Sequence, residues 1–272
     1  MTKQLKDMTW EEARDAFKTN RLGIIPTGSM EQHGPHLPLG TDFLIADHLA
    51  KRVAEKTEAI LTPTIPIGFA TYHRDFEGTL SVETDHLASY YLDVANSLLL
   101  YGVTHVLFIN GHGGNAGALT SVCRDLRDRG VPAAFVQWWQ IAGGIDEKWS
   151  MIGHGDISET SLMLAISGEN VHLDRAAVPE NKWLTDKLHI EDLHLCKFGP
   201  GYVNFYFRTG DVSDTGDFLE YGHSATADYS ISPAGATAEN GEQILSAVTN
   251  FILDFIEEFK KIHFEPAKVP AR

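Results

Sequence analysis

Cysteine is nearly absent from this sequence: Cys123 and Cys196 are the only two among 272 residues. They stand far apart with no C-x-x-C pair, which excludes a disulfide framework and a thiolate zinc site. Basic residues are also scarce. Against 37 acidic side chains there are 22 lysines and arginines, a formal charge of −15. Such a surface repels phosphates, so nucleic acid is not expected as a partner. No apolar run approaches the roughly 18 residues that a bilayer crossing requires, and even VTNFILDFI is interrupted by Asp254. The opening MTKQLKDMTWEEARDAFK is charged and lacks the apolar stretch of a secretory signal. A cytoplasmic chain without membrane association is the expectation.

The remaining composition, 43% hydrophobic and 22% charged, is that of a globular protein with one substantial core. No repeat or linker composition marks a boundary, so a single domain over 1–272 is expected. Short apolar strands are read at Leu22–Pro26, Ala59–Pro66, Val103–Asn110 and Val131–Gln137. Between them, three- and four-residue apolar spacing predicts helices from Asp42 to Thr57, with Thr41 as N-cap, from Thr84 to Tyr101 and from Ala116 to Arg129. A further helix is predicted over Leu162–Ser167, and a last one from about Ala234 to Ile262. The stretch 183–232 has weak periodicity and reads as loops and short strands. Strands alternating with helices imply an α/β three-layer sandwich, a mainly parallel sheet with helices on both faces. Ligands bind such sheets at the carboxyl ends of the strands.

The unusual residues cluster at those ends. After the first strand, EQHGPHLPLGTD carries Glu31, His33, His36 and Asp42, a mixed N/O set suited to hard divalent cations. Pro35, Pro38, Gly34 and Gly40 can fold this loop onto one point; the alternative is a buried loop that these side chains merely hydrogen-bond. After the third strand, GHGGN allows two readings: backbone N–H groups cradling an anion, or His112 aimed at a metal. His154, Asp156 and Glu159 form a third cluster, in which Glu159 is either an acid at a helix N-terminus or a metal ligand in the catalytic centre. Tyr72, His73, Arg74 and Asp75, with Trp139, are possible substrate contacts. No G-x-S-x-G elbow is present, so metal-activated water is favoured over a serine nucleophile.

Together, PTGSMEQHGPHLPLGTD, FINGHGGN and GHGDISETSLM resemble the three signatures of the creatininase (creatinine amidohydrolase) family, over roughly Leu22 to Gly168. The resemblance implies a creatininase-like fold and a hydrolase with two divalent metal ions, Zn, Mn or Fe. Glu31, Asp42 and His112 would hold one ion, and His33 with a bridging Asp42 the other. A metal-bridged hydroxide would attack the substrate, and His154 would deliver the proton to the leaving group. Creatinine-cleaving members carry a Glu two residues after the N-G-H histidine, where this chain has Gly114. That departure assigns the second ion's remaining ligand to Glu159 and argues against creatinine itself. The family includes cyclic-amide and formamide hydrolases, a peptidase of peptide-cofactor maturation and a keto-inositol ring-opener. A small polar, cyclic substrate is therefore expected, in a homo-oligomer, commonly a hexamer. The competing reading keeps the fold but makes the chain a non-catalytic, metal-containing small-molecule binding protein, whose metal ligands would be coordinatively saturated.

Overall fold

The computed structural model describes residues 4–150, 153–176, 178–220 and 232–268. Its centre is a parallel sheet in the order β2-β1-β3-β4, built from β1 (Leu22–Thr27), β2 (Ile60–Leu61), β3 (His105–Asn110) and β4 (Ala133–Gln137). β1 and β3 run in full register from Leu22 opposite His105 to Thr27 opposite Asn110. Both strands are buried along their whole length, which is why they read as continuous rather than alternating apolar runs.

Successive side chains of these strands point to opposite faces, and the core divides accordingly. Ile24, Leu107 and Ile109 pack on one face against α2 (Thr41–Glu55), α6 (Ile157–Ser167) and α8 (Ala238–Phe259). Ile25, Val106 and Phe108 pack on the other against α3 (Thr84–Leu100) and α4 (Ala116–Asp128). Three layers result, as the pattern predicts. α6 and α8 cross so closely that a Cβ on Gly241 would stand 1.9 Å from the Ser161 carbonyl oxygen; only glycine permits that approach.

Several elements differ from expectation. The amino-terminal α1 (Trp10–Thr19) is closed by a reciprocal capping box between Thr9 and Glu12; the T-x-x-E signal for it is present in the sequence. The expected strand over 59–66 shrinks to Ile60–Leu61 and an isolated bridge from Thr27 to Ile65, because Pro63 and Pro66 have no N–H for a ladder. Gly40, not Thr41, caps α2, and Thr41 turns its hydroxyl back to the Pro38 carbonyl. Trp138 opens an unexpected α5 (Trp138–Ile145) directly after β4. α6 begins five residues earlier than expected, at Ile157, since Asp156 accepts hydrogen bonds from the amides of Ser158 and Glu159. α8 starts at Ala238 behind the Thr237 cap, and Pro233–Gly235 form a separate turn.

Over the described residues 183–220 the chain forms the loops and short strands that its weak periodicity suggests. β6 (Trp183–Thr185), β7 (Leu188–Ile190), β8 (Leu195–Phe198) and β9 (Gly201–Asn204) make an antiparallel sheet, followed by the short α7 (Thr209–Val212). β10 (Phe218–Leu219) then pairs with β5 (Gly153–His154). His223, for which the sequence offered no reading, lies outside the described residues with the rest of 221–231. Among the described residues no helix is long and apolar enough to cross a membrane.

Candidate metal centre

Three separate chain segments converge at the carboxyl edge of the parallel sheet. The loop after β1 carries Glu31 and His33 and ends in the first turn of α2 with Asp42; the loop after β3 carries His112; and β5 with the first turn of α6 brings His154 and Glu159. All of them, apart from a half-buried His154, are buried. Asp42 sits at the middle. Its Oδ1 lies 3.0 Å from His33 Nε2 and its Oδ2 3.1 Å from His112 Nδ1, while Glu31 Oε1 stands 3.2 Å from the same His112 nitrogen. Glu159 Oε1 approaches His33 Nε2 at 3.9 Å from the other side.

The far nitrogen of each imidazole is anchored on a main-chain carbonyl. His33 Nδ1 donates to the Glu31 carbonyl at 3.1 Å, His112 Nε2 to that of Phe69 at 2.7 Å, and His154 Nε2 to that of Gln32 at 2.5 Å. An N–H committed to a carbonyl fixes the tautomer and leaves the opposite nitrogen as the lone pair, the arrangement that metal-binding histidines use. Two carboxylate oxygens, Glu31 Oε2 and Asp42 Oδ2, are buried yet accept no well-directed hydrogen bond. Orphaned oxygens of this kind cost free energy unless a cation is close. The residues present therefore fit divalent ions. Ligand-type atoms group as Glu31, Asp42 and His112, as His33, His154 and Glu159, and as Glu31, His73 and His154.

The electrostatics agree. Burial alone would lower both histidines, but Asp42 and Glu159 raise His33 to about 10, and Glu31 with Asp42 holds His112 well above the ordinary imidazole value. Despite burial, His112 and His73 keep Glu31 well below the usual carboxylate range. Burial, reinforced by Asp156 and Asp42 and opposed by His33, pushes Glu159 up to about 8. Protons on His33 and His112 here supply the positive charge that bound cations would replace.

His154 is stacked between other rings, with centroids 4.3 Å from both His33 and His73 and 5.3 Å from Phe218. Burial, then His33 and His73, holds it well below the ordinary imidazole value, so it is neutral. With Nε2 tied to Gln32, Nδ1 is the nitrogen that can exchange a proton.

A cavity of about 720 Å³ opens beside these groups. Tyr72, His73 and Trp139 line it, as does Gly114. Arg74 does not: it is exposed and turned toward the Ser81 carbonyl, because the Thr71–His73 turn ends before it. His73 differs from a plain substrate contact. Its Nε2 faces Glu31 Oε1 at 3.3 Å, and its Nδ1 accepts from Gln32 Nε2 at 3.0 Å. The Gln32 amide is oriented by the Gly34 amide on its oxygen and the Gly216 carbonyl on its nitrogen. Gln32, which the motif contained but the sequence reading passed over, is thus the clamp behind His73. Reading the sequence also missed Asp192, His194 and Glu220, which line the cavity from an irregular segment that carries no spacing signal.

Position 114 is closed to side chains. A Cβ there would lie 2.2 Å from the Phe69 carbonyl oxygen, 2.4 Å from His112 Nε2 and 2.5 Å from the Tyr72 hydroxyl. Tyr72 occupies the room that a longer residue at 114 would need.

Comparison with known proteins points the same way. The profile of the family described as creatininase, creatinine amidohydrolase, matches residues 6–256. A mycofactocin precursor peptide peptidase of Mycobacterium tuberculosis is 34% identical over 84% of this chain and 81% of its own length. A 3-dehydro-scyllo-inosose hydrolase of Thermotoga maritima is 25% identical over 96% and 86%. Among solved structures, a manganese form of creatininase superposes with a TM-score of 0.72 at 25% identity, covering 95% of this chain and 99% of that one. A mutant creatininase described as Zn–Zn type gives 0.71 at 25% identity, over 94% and 99%. Fold, converging loops and family profile agree, and the chain belongs to the creatininase family.

Proposed function

We propose that this protein is a divalent-metal-dependent hydrolase of a small polar, cyclic substrate, cleaving a cyclic amide or formamide C–N bond or opening a keto-cyclitol ring. The observation that carries this reading is Asp42, whose two oxygens face two oppositely placed imidazoles while Glu31 and Glu159 flank the pair. Glu31, Asp42 and His112 would hold one ion; His33, Asp42 and Glu159 would hold the second. Zinc and manganese, which solved relatives contain, both suit this donor set. Two such ions supply a Lewis acid and a water whose pKa falls from ~15.7 toward ~7.

The chain's own groups do the rest. The Gly155 amide holds Glu159 Oε2 and so turns Oε1 toward His33, and His73 keeps Glu31 oriented. His154, neutral and backed by Phe218, passes a proton through Nδ1 toward the leaving group. Tyr72 is kept protonated by burial and by the nearby Glu31 and Asp42. Its hydroxyl, 3.4 Å from an already satisfied His112 Nε2, is free to donate to a substrate oxygen. Trp139 lines the same cavity with an apolar face. An open cavity beside the ligand atoms supports catalysis over a saturated structural site.

Gly114 argues against creatinine as the substrate, since this backbone leaves no room for an acid there. The experiment is a turnover screen of zinc- or manganese-reconstituted protein against lactams, formamides, ureido compounds and keto-cyclitols. Turnover by the loaded protein, abolished by chelation and by Asp42→Ala, is the expected result. Full activity in metal-free Asp42→Ala protein contradicts it.

A further inference from the structure

Away from the sheet edge, the cavity is closed by a wall that the proposed chemistry does not use. Asp192 lies in the turn between β7 and β8, and Glu220 directly follows β10. Both line the cavity with His194 and Leu193. One buried side chain, Asn181, sets them side by side. Its amide nitrogen donates to the carbonyls of Ile190, Glu191 and Leu219, and its oxygen accepts from the Leu219 amide at 3.0 Å. The residue after Glu191 and the residue after Leu219 are thereby fixed on the same wall.

Among the described residues these acids have no lysine or arginine partner. Asp192 is 6% exposed, and one of its oxygens accepts from the His194 amide. Its other oxygen and the whole Glu220 carboxyl have no hydrogen-bond or ion-pair partner among the described residues. No lysine or arginine lines the cavity among those residues. The burden is visible in Glu220, which burial, Asp192 and Asp156 push up to about 7. Asp192 and the ionised form of Glu220 only accept hydrogen bonds, so a ligand that brings donors is held here and keeps Glu220 ionised. An anion would meet uncompensated like charge.

We infer that Asp192 and Glu220 form the specificity-determining end of the active-site cavity, selecting a neutral or cationic substrate rich in O–H or N–H donors and rejecting phosphorylated or carboxylated ones. This inference rests on the proposed active-site cavity, and it narrows the substrate class that the hydrolase reading leaves open.

The test uses one ring in three charge states: 2-deoxystreptamine, myo-inositol and myo-inositol 1-phosphate. Calorimetric Kd values are measured on the full chain, metal-free and zinc-loaded, for wild type and for the Asp192→Asn, Glu220→Gln double variant. Zinc stoichiometry serves as the check that the fold and the inner site persist. Wild type is expected to bind the amine most tightly and the phosphate most weakly. In the double variant the ratio of phosphate to amine Kd falls at least about tenfold, the minimum worth of one charge-assisted hydrogen bond. Three outcomes overturn the inference: an unchanged ratio, wild-type protein that prefers the phosphate in both metal states, or no binding of any of the three rings. A chain that binds no zinc yet shows the charge preference would sink the hydrolase reading alone.

Discussion

The two ends of the cavity are built on opposite principles. At the inner end His33 and His112 each have a main-chain carbonyl behind the ring and a carboxylate in front, so rings and acids hold each other in place. At the outer end Asp192 and Glu220 are positioned through Asn181 and the backbone, and their own oxygens are left with little to bind. The contrast separates two tasks. Anchored imidazoles and carboxylates that converge on one space suit an ion that must be held in one geometry, whereas acceptors placed by the backbone alone suit a ligand that arrives and leaves.

The largest effect that would sharpen this contrast is expected at the inner end. Glu31→Gln and Glu159→Gln should each reduce the metal content by one ion per chain and abolish turnover, as read by elemental analysis and kinetics. If both variants keep two ions, the division of ligands is wrong. Next comes Gly114→Glu. Since a Cβ at 114 meets the Phe69 carbonyl oxygen and His112 Nε2, overpacking should cost on the order of 1–3 kcal/mol. A lowered melting temperature and loss of metal, without creatinine hydrolysis, are expected; a stable variant that gains it would show that position 114 alone separates this chain from the creatinine-cleaving members.

Gln32→Leu tests the support behind the inner end. It frees the Gly34 amide and the Gly216 carbonyl and leaves His73 Nδ1 only the Thr209 hydroxyl at 2.6 Å, and metal affinity should drop about 10–100-fold, as for other outer-shell partners. Undiminished affinity would mean that His73 and its clamp do not tension Glu31. The smallest effect belongs to Trp139→Ala, which removes a wall rather than a ligand. KM should rise while kcat and metal content hold; a collapse of kcat would place the indole in the chemistry.

Much of the inner end was legible because its residues come in contiguous strings at the ends of buried strands, where strand direction dictates the meeting point. Glu31, His33 and Asp42 share one loop, and β1 beside β3 in parallel brings His112 to it. The demotion of Arg74 was not legible, since a three-residue turn decides which of His73 and Arg74 faces inward. The outer wall was illegible for a different reason. Asp192 and Glu220 meet only through the long-range bonds of Asn181, and short antiparallel strands with exposed faces carry no period to predict them. In the fold, α1 and the early start of α6 are announced by the Thr9 and Asp156 caps and not by a run of apolar spacing. Where prolines interrupt β2, the local chain won over the apolar pattern.

The most direct test of the central claim is the anomalous scattering of crystals grown with zinc or manganese. Two ions per chain, one on each side of Asp42 with His112 and Glu31 on one and His33 and Glu159 on the other, is the predicted result. A single ion that Asp42 does not touch, or His112 turned away from both carboxylates, would contradict it.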